Sequence, residues 1–481
     1  MTDGDDHRVS GAAETGPTHA GDSDAGTDPV DCGHVDVLGV GLGPFNLGLA
    51  ALLAETDVEA AFLEQASTFA WHEGMLIEGA TLEVPFLADL VTLADPTSEY
   101  SYLNYLRETD RIYEFYFYET FQVPRREYDA YLGWVADRLE SCRFSRRVTS
   151  VAETDTGFRV EAVDPETGDR YVFTADDLVV GVGSRPYVPD QFRNSLGESI
   201  FHTARYRDRR DGVLDSDAIA VVGSGQSAAE VVLDLLERQS DHGYRLDWLT
   251  RSDGFFSMEY SKLGLQHFTP EYTRYFYDLD RDTRDEALSG QDLLYKGIDV
   301  QTSARIYDTL YERSIGSRDP DFGMLAMTAV EDIEPAGDGY RLACHQTQQD
   351  ERFVHEADAV VLGTGYHRPT PSFLGPLEAA LDRDSKERLR ITADYRVKSD
   401  CEGRIFVQNA GVYTHGVGTP DLGLGCYRNA VVVEQLASRE VYPIDKDTVF
   451  QDFDVEQFVT TGQRDGAASP LASTTDRSDL T

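Results

Sequence analysis

One local pattern occurs twice along this chain. A short apolar strand runs into a glycine-rich turn, and the turn opens directly into a helix. The first copy is His34-Val35-Asp36-Val37-Leu38-Gly39-Val40, then Gly41-Leu42-Gly43-Pro44-Phe45-Asn46, then a helical apolar face from Leu47 to Leu53. A second strand, Val58 to Glu64, follows and ends in a carboxylate 21 residues after Gly43. Gly41 permits the tight turn, and Gly43 lets the backbone approach a pyrophosphate. The helix N-terminus adds free N–H groups and the positive end of its dipole. Glu64 is placed to accept from ribose hydroxyls. Asn46 stands where a dinucleotide fingerprint usually has its third glycine. The assignment therefore rests on the strand, turn, helix, strand and acid together, since a glycine triplet alone also fits an ordinary strand-to-helix turn.

The second copy is Ala218 to Val222, then Gly223-Ser224-Gly225-Gln226-Ser227, then a helix through Val231 to Leu236. Its next strand, Tyr244 to Leu249, ends in Thr250-Arg251-Ser252. No acid reads a ribose here, and Arg251 suits a 2′-phosphate, which favours NADPH over NADH. A solvated surface arginine is the plainer alternative. Asp358 to Leu362 is a further buried strand, broken by Gly363-Thr364-Gly365-Tyr366, and a weaker one is Asp177 to Ser184. The later strand is expected to return the chain to the first sheet. This order predicts an α/β protein with two dinucleotide-binding (Rossmann-like) domains, the second inserted into the first. The expected division is 34–210 and 355–458 for one domain and 213–354 for the other, with a helical pocket-forming segment at about 255–314. Residues 1–33 and 459–481 are rich in Gly, Asp, Thr and Ser and read as disordered tails.

With these motifs in place, the chain resembles the flavin-dependent N-hydroxylating monooxygenases of siderophore biosynthesis, a family of lysine, ornithine and diamine N-monooxygenases. The likeness runs from about residue 34 to 450. It is carried by GVGLGPFNL (39–47), WHEGM (71–75), VPFLADLVTLADPTSEYSYLNYL (84–106), VVGSGQSAAE (221–230), HFTPEY (267–272), LGTGY (362–366) and NAGVYTHGVG (409–418). The block at 84–106 and Thr414-His415-Gly416 are far more specific than the glycine turns. The resemblance implies FAD and NADPH as cofactors. Reduced flavin would take up molecular oxygen as a hydroperoxide, and a neutral primary amine would attack it to become a hydroxylamine. The cofactor carries that chemistry, so no catalytic side chain and no metal is expected. A free alkyl amine has a pKa of about 10.4, so the site must favour its uncharged form by desolvation. The resemblance places Trp71, His72, Met75 and Leu76 near the flavin, although core packing would also explain them. It sets Gly223, Gly225, Gln226 and Ser227 on the second phosphate turn and Gly365 and Tyr366 on the late strand end. It has His415 and Gly416 close over the flavin pyrimidine, with Leu422 to Gly425 near the substrate. It also implies a homo-oligomer, often a tetramer.

One departure bears on the substrate. The family's amino-acid hydroxylases carry a lysine where this chain has Ala88, and usually a glutamine where it has Glu83. That lysine contacts the substrate carboxylate. Here a positive group is missing and a negative one is gained, which disfavours a carboxylate. A diamine, with an ammonium at its far end, could pair with Glu83. Cadaverine, putrescine or diaminopropane is therefore the expected substrate. Leu265, Lys296 and Gly423 fall near the family's other substrate contacts, and Lys296 could restore a positive charge, which keeps L-lysine and L-ornithine open. A non-catalytic flavin-binding redox protein is the alternative of another class. A disulfide reductase would need a CxxC, which is absent. Ser199 to Tyr206 resembles the N-hydroxylase version of its segment rather than that of a Baeyer–Villiger oxygenase.

Composition narrows the setting. A formal charge of −43 argues against nucleic acid and anionic lipid as partners, leaving a small amine and molecular oxygen. Five scattered cysteines suggest neither a disulfide framework nor a zinc site and fit a reducing cytoplasm. No apolar run reaches membrane-spanning length, and the N-terminus lacks the blocks of a signal peptide. Only five of the 43 basic residues are lysines. Excess carboxylate with scarce lysine is the composition of proteins from salt-accumulating halophiles, where molar salt shortens the Debye length to about 3 Å and screens the repulsion. The protein is expected to lose far-ultraviolet ellipticity on dialysis from molar KCl into dilute buffer; full retention would refute the halophilic reading.

Overall fold

The computed structural model describes residues 28–444 and 449–455. The C-terminal tail and most of the N-terminal one lie outside the described residues. The N-terminal expectation needs one correction. Val30 to Gly33 belong to the first strand, Val30–Val40, where Val30 and Asp31 pair with Tyr171 and Val172.

Two sheets carry the two glycine turns. In the first, Val30–Val40 lies between Ala60–Leu63 and Arg170–Val180, parallel to both, and Cys142–Arg143 forms the edge beyond Ala60–Leu63. Arg170–Val180 carries an antiparallel ribbon, Phe158–Val163 and Arg147–Glu153, on its early half. Its last residues, Leu178 to Val180, pair with Ile405–Val407. Arg404 clamps that junction by donating to both oxygens of Asp177 from backbone and guanidinium. The strand ends are apolar and completely buried, as a parallel strand covered on both faces requires.

The second sheet is wholly parallel, in the order Ile200–His202, Ala359–Leu362, Ala218–Val222, Arg245–Leu249, Phe322–Leu325. This corrects the expected return strand. Ala359–Leu362 pairs with Ala218–Val222 and stays in the second sheet; the chain rejoins the first only at Ile405. A three-stranded antiparallel sheet, Thr328–Ala336, Gly339–Gln346 and Glu351–Ala357, packs beside the second sheet.

Helix α1 (Pro44–Leu53) leaves the first glycine turn. It is buried along nearly its whole length, between the first sheet and the helices α2 (Arg125–Ala136) and, late in the chain, Gly423–Ala437. Helix α3 (Gln226–His242) leaves the second turn with an apolar inner face and ends at Gly243 in the left-handed region. The halves are stitched together. Met75 and Ile77, from the segment after Trp71, pack into the core of the second sheet. Arg185–Pro186 pairs with Tyr366–His367.

Gly223 has φ +131°, and a Cβ there would sit 2.1 Å from the Gly363 carbonyl oxygen of the neighbouring strand. Gly223→Ala combines backbone strain with a clash against main chain and is expected to cost about 2–5 kcal/mol. A Cβ at Gly225 meets nothing within 4 Å. Thermal unfolding in molar salt should show a large fall for Gly223→Ala and little change for Gly225→Ala.

Candidate functional site

The carboxyl ends of both sheets open onto one cavity of about 1050 Å³. Gly41, Gly43 and Pro44 of the first turn line it, as does Glu64. Gly41 holds φ +85°, and a Cβ on it would lie 2.7 Å from the Gly181 carbonyl oxygen. Gly43 caps α1 with no side-chain hydrogen bond to the helix N-terminus, and Pro44 has no N–H of its own. The remaining first-turn donors are thus left for a ligand. Glu64 accepts from the backbone N–H of Leu42 at 3.0 Å and of Ala66 at 3.0 Å, which holds the carboxylate beside the turn. Asn46 is not part of the wall. It is buried beneath the turn, donates to the Gly41 carbonyl at 2.7 Å and packs where Gly181 has no Cβ. The residue replacing the third glycine therefore braces the turn.

At the second turn, Gln226 and Ser227 reach the cavity, while Gly223 and Gly225 form the backbone behind them. Gly225 caps α3, again without a side-chain cap. Gln226 accepts from Asp299 N at 2.7 Å and donates to Glu230 at 3.0 Å. Arg251 does not line the cavity. It is exposed in the loop after Arg245–Leu249, and the Ser224 and Ser252 hydroxyls, 3.1 Å apart, bring that loop against the turn. Tyr366 lines the cavity, whereas Gly365, at φ +86°, turns its carbonyl to the His202 ring and Tyr187 N. Two uncapped helix N-termini, a carboxylate at one turn and an exposed arginine beside the other fit a flavin dinucleotide and NADPH.

Trp71, His72 and Met75 line the wall between the halves; Leu76 is buried behind it. Trp71 is held by Asp129, which accepts from its backbone N–H at 2.8 Å, and by edge contact with Tyr128. The His72 side chain opens onto the cavity, where desolvation by the surrounding wall, aided by the Arg125 charge, lowers its imidazole to about 4, so it is neutral near pH 7. His415 and Gly416 do not reach the cavity. The His415 ring stacks on Tyr395 with centroids 4.2 Å apart, its Nδ1 lies 2.9 Å from Thr414 Oγ1, and burial drives it down to about 3. Gly416 packs against Phe276. The late segment instead reaches the cavity through Gln408, Asn409 and Pro420 to Gly423.

Glu83, Ala88, Leu265 and Gly423 all line the cavity. A Cβ on Gly423 would stand 3.6 Å from the Ala88 Cβ and 3.0 Å from Asp421 Oδ1. The Glu83 carboxylate makes no hydrogen bond or ion pair among the described residues; the Tyr260 hydroxyl meets its backbone carbonyl. Burial pushes Glu83 up to about 7, with the negative charges of Glu230 and Asp299 adding and Arg125 opposing. Burial also raises Asp421, which accepts from Leu424 N at the start of the last helix. Lys296 is outside the cavity, half-exposed, 2.7 Å from Asp292 and near the Tyr295 ring. It restores no charge to this wall. Sequence reasoning missed Asp421, Tyr260 and Arg125, all of which line the cavity. Asp421 carried a faint signal, one residue before the segment expected near the substrate.

A family model described as L-lysine 6-monooxygenase/L-ornithine 5-monooxygenase matches residues 33–368. The rhizobactin siderophore biosynthesis protein RhbE of Rhizobium meliloti is 44% identical over 430 residues, 87% of this chain and 94% of that protein. A putrescine N-hydroxylase of Acinetobacter baumannii is 39% identical over 88% of this chain and 95% of its own. The crystal structure of FAD-bound DfoA, a cadaverine monooxygenase of the desferrioxamine pathway of Erwinia amylovora, superposes with a TM-score of 0.83. It is 38% identical, covering 87% of this chain and 98% of that one.

Proposed function

The chain belongs to the L-lysine 6-monooxygenase/L-ornithine 5-monooxygenase family, and within it we propose that this protein N-hydroxylates a diamine, such as putrescine, cadaverine or diaminopropane, for a hydroxamate siderophore. One observation carries the diamine reading. Glu83 brings a carboxylate with no hydrogen-bond or ion-pair partner among the described residues to the cavity that Ala88 also lines, and no lysine of the described residues lines that cavity. The putrescine and cadaverine activities of the two relatives point the same way.

Bound FAD, reduced by NADPH, supplies the oxygen chemistry that converts an amine to a hydroxylamine. The first turn and Glu64 would hold the FAD pyrophosphate and ribose, and the second turn, Gln226 and Ser227 would receive NADPH, with Arg251 available to its 2′-phosphate. The two sheets thus serve as the FAD and NADPH domains, and a demand for NADPH fits a cytoplasmic enzyme. His72 stays neutral at the wall and adds no charge there. Glu83 holds the far ammonium. Leu265, Phe268 and Leu294 give an apolar surface that excludes water and favours the neutral form of the reacting amine.

The direct test is product detection in molar KCl with FAD and NADPH, scoring hydroxylamines from lysine, ornithine, cadaverine, putrescine and diaminopropane by mass spectrometry. Product from diamines is expected. Product mainly from an amino acid overturns the reading and directs attention to Arg368, a cavity-lining arginine with no ion pair among the described residues. Peroxide with no hydroxylamine from any amine would reduce the protein to an oxidase. Ala88→Lys should move preference toward lysine, and an unchanged ratio counts against the charge argument. The pH profile offers a further check. Glu83 gains a proton as pH falls through about 7 and then no longer attracts an ammonium, whereas the substrate amine stays charged throughout this window. The diamine kcat/KM should fall on the acid side of about pH 7, and Glu83→Gln should remove that limb.

A further inference from the structure

Arg125 opens α2, anchored where its backbone N–H donates to the Ala80 carbonyl at 2.9 Å, just before the Thr81–Pro85 strand that carries Glu83. Arg125 and Glu83 line the same cavity. Yet the guanidinium is turned to the other half of the molecule. Nη1 donates to Glu230 Oε2 at 2.8 Å and Nη2 to Glu230 Oε1 at 2.6 Å, with a further donation from Nη1 to the Met75 carbonyl at 3.2 Å. Both side chains are largely buried, at 13% and 5% exposure. Glu230 lies on α3, one turn after Gln226, and also accepts from it.

A buried fork of this geometry satisfies its arginine almost completely. We propose that Glu230 is a specificity-determining residue: by neutralising Arg125 across the domain junction, it keeps Glu83 available for the substrate's ammonium. This rests on the diamine reading above. Glu83, Arg125 and Glu230 together carry one negative charge, the complement of one ammonium. Without Glu230, Arg125 would be a buried cation beside Glu83. The two would pair, and the Glu83 carboxylate would no longer be free to meet an ammonium. A freed Arg125 would instead suit the carboxylate of an amino acid. The charge that selects the amine is therefore set by the NADPH-side helix, not by the strand that touches the substrate.

The alternative is that the pair is only a strut between the halves. Charge and strut roles differ in sign. With holoenzyme in molar KCl, KM and kcat for putrescine and for lysine are read from hydroxylamine product, alongside the NADPH KM, FAD content and melting temperature. Glu230→Gln should raise the putrescine KM about tenfold or more and lower the lysine KM. Arg125→Gln leaves Glu83 and Glu230 without their cation and should not raise the putrescine KM. The double variant restores a single negative charge and should bring the putrescine KM back toward wild type. Equal weakening by both single variants, or a Glu230→Gln effect confined to the NADPH KM, overturns the proposal. Should Glu230→Gln fail to fold, Arg125→Gln and the double variant still decide it: a raised putrescine KM in both is the strut result. Wild-type product from amino acids alone would fail the diamine reading itself, before any variant is compared.

Discussion

Two chain segments run closer to their neighbours here than any side chain would allow. At Gly41 and at Gly223 the turn leaves a parallel strand and presses against a carbonyl oxygen of the next segment, at Gly181 and Gly363 respectively. Each turn also requires a left-handed or similarly positive φ. That constraint sets where both helices begin. It brings α1 and α3 to the sheet edges with their N-termini directed at one cavity and capped by glycine rather than by a side chain. A Ser or Asp cap would satisfy those donors internally and leave less for a phosphate. The binding function and the packing constraint are thus one arrangement, and they are built twice.

The cavity between the two turns is assembled from both halves, and its electrostatics are as well. The wall contains Glu83 and Asp421 on the acidic side, and both are raised by burial. Against them stand Arg125, whose charge is already met by Glu230, and Arg368. His72 is held neutral by desolvation and the Arg125 charge, so it adds no positive charge near pH 7. The result is an acid-rich wall with apolar neighbours, suited to a molecule that is cationic at one end and neutral at the other.

Local features were legible in the sequence; pairing and direction were not. The glycine turns, Glu64 and the strands leading into them are specified within a few residues, and the structure has them in place. Ala359–Leu362 shows the limit. An apolar four-residue strand ending in glycine reads alike in either sheet, because its partner is chosen by packing far away in sequence. His415 and Pro420 to Gly423 show a second limit. Resemblance located the segment, but a turn at Gly416 and the stacking of His415 on Tyr395 decide which residues face the cavity. Lys296 is different, since its fate was written locally: Asp292 stands four residues before it, the helical spacing for an ion pair. Arg125 and Glu230, 105 residues apart, gave no such hint.

Salt separates the surface of this protein from its interior. Most of the carboxylates behind the net charge of −43 can be screened by a saline medium whose Debye length at 1 M is about 3 Å. Screening acts on exposed charges; a buried pair such as Arg125–Glu230 and the enclosed carboxylate of Glu83 are affected far less. Long-range attraction of a cationic substrate to an acidic surface would fade under such conditions. Discrimination must then arise at short range, inside the cavity, where one uncompensated carboxylate still distinguishes an ammonium from a carboxylate. At molar salt a chain this acidic could not use its overall charge to choose a diamine. It could do so with the Glu83 carboxylate that Glu230 leaves unpaired.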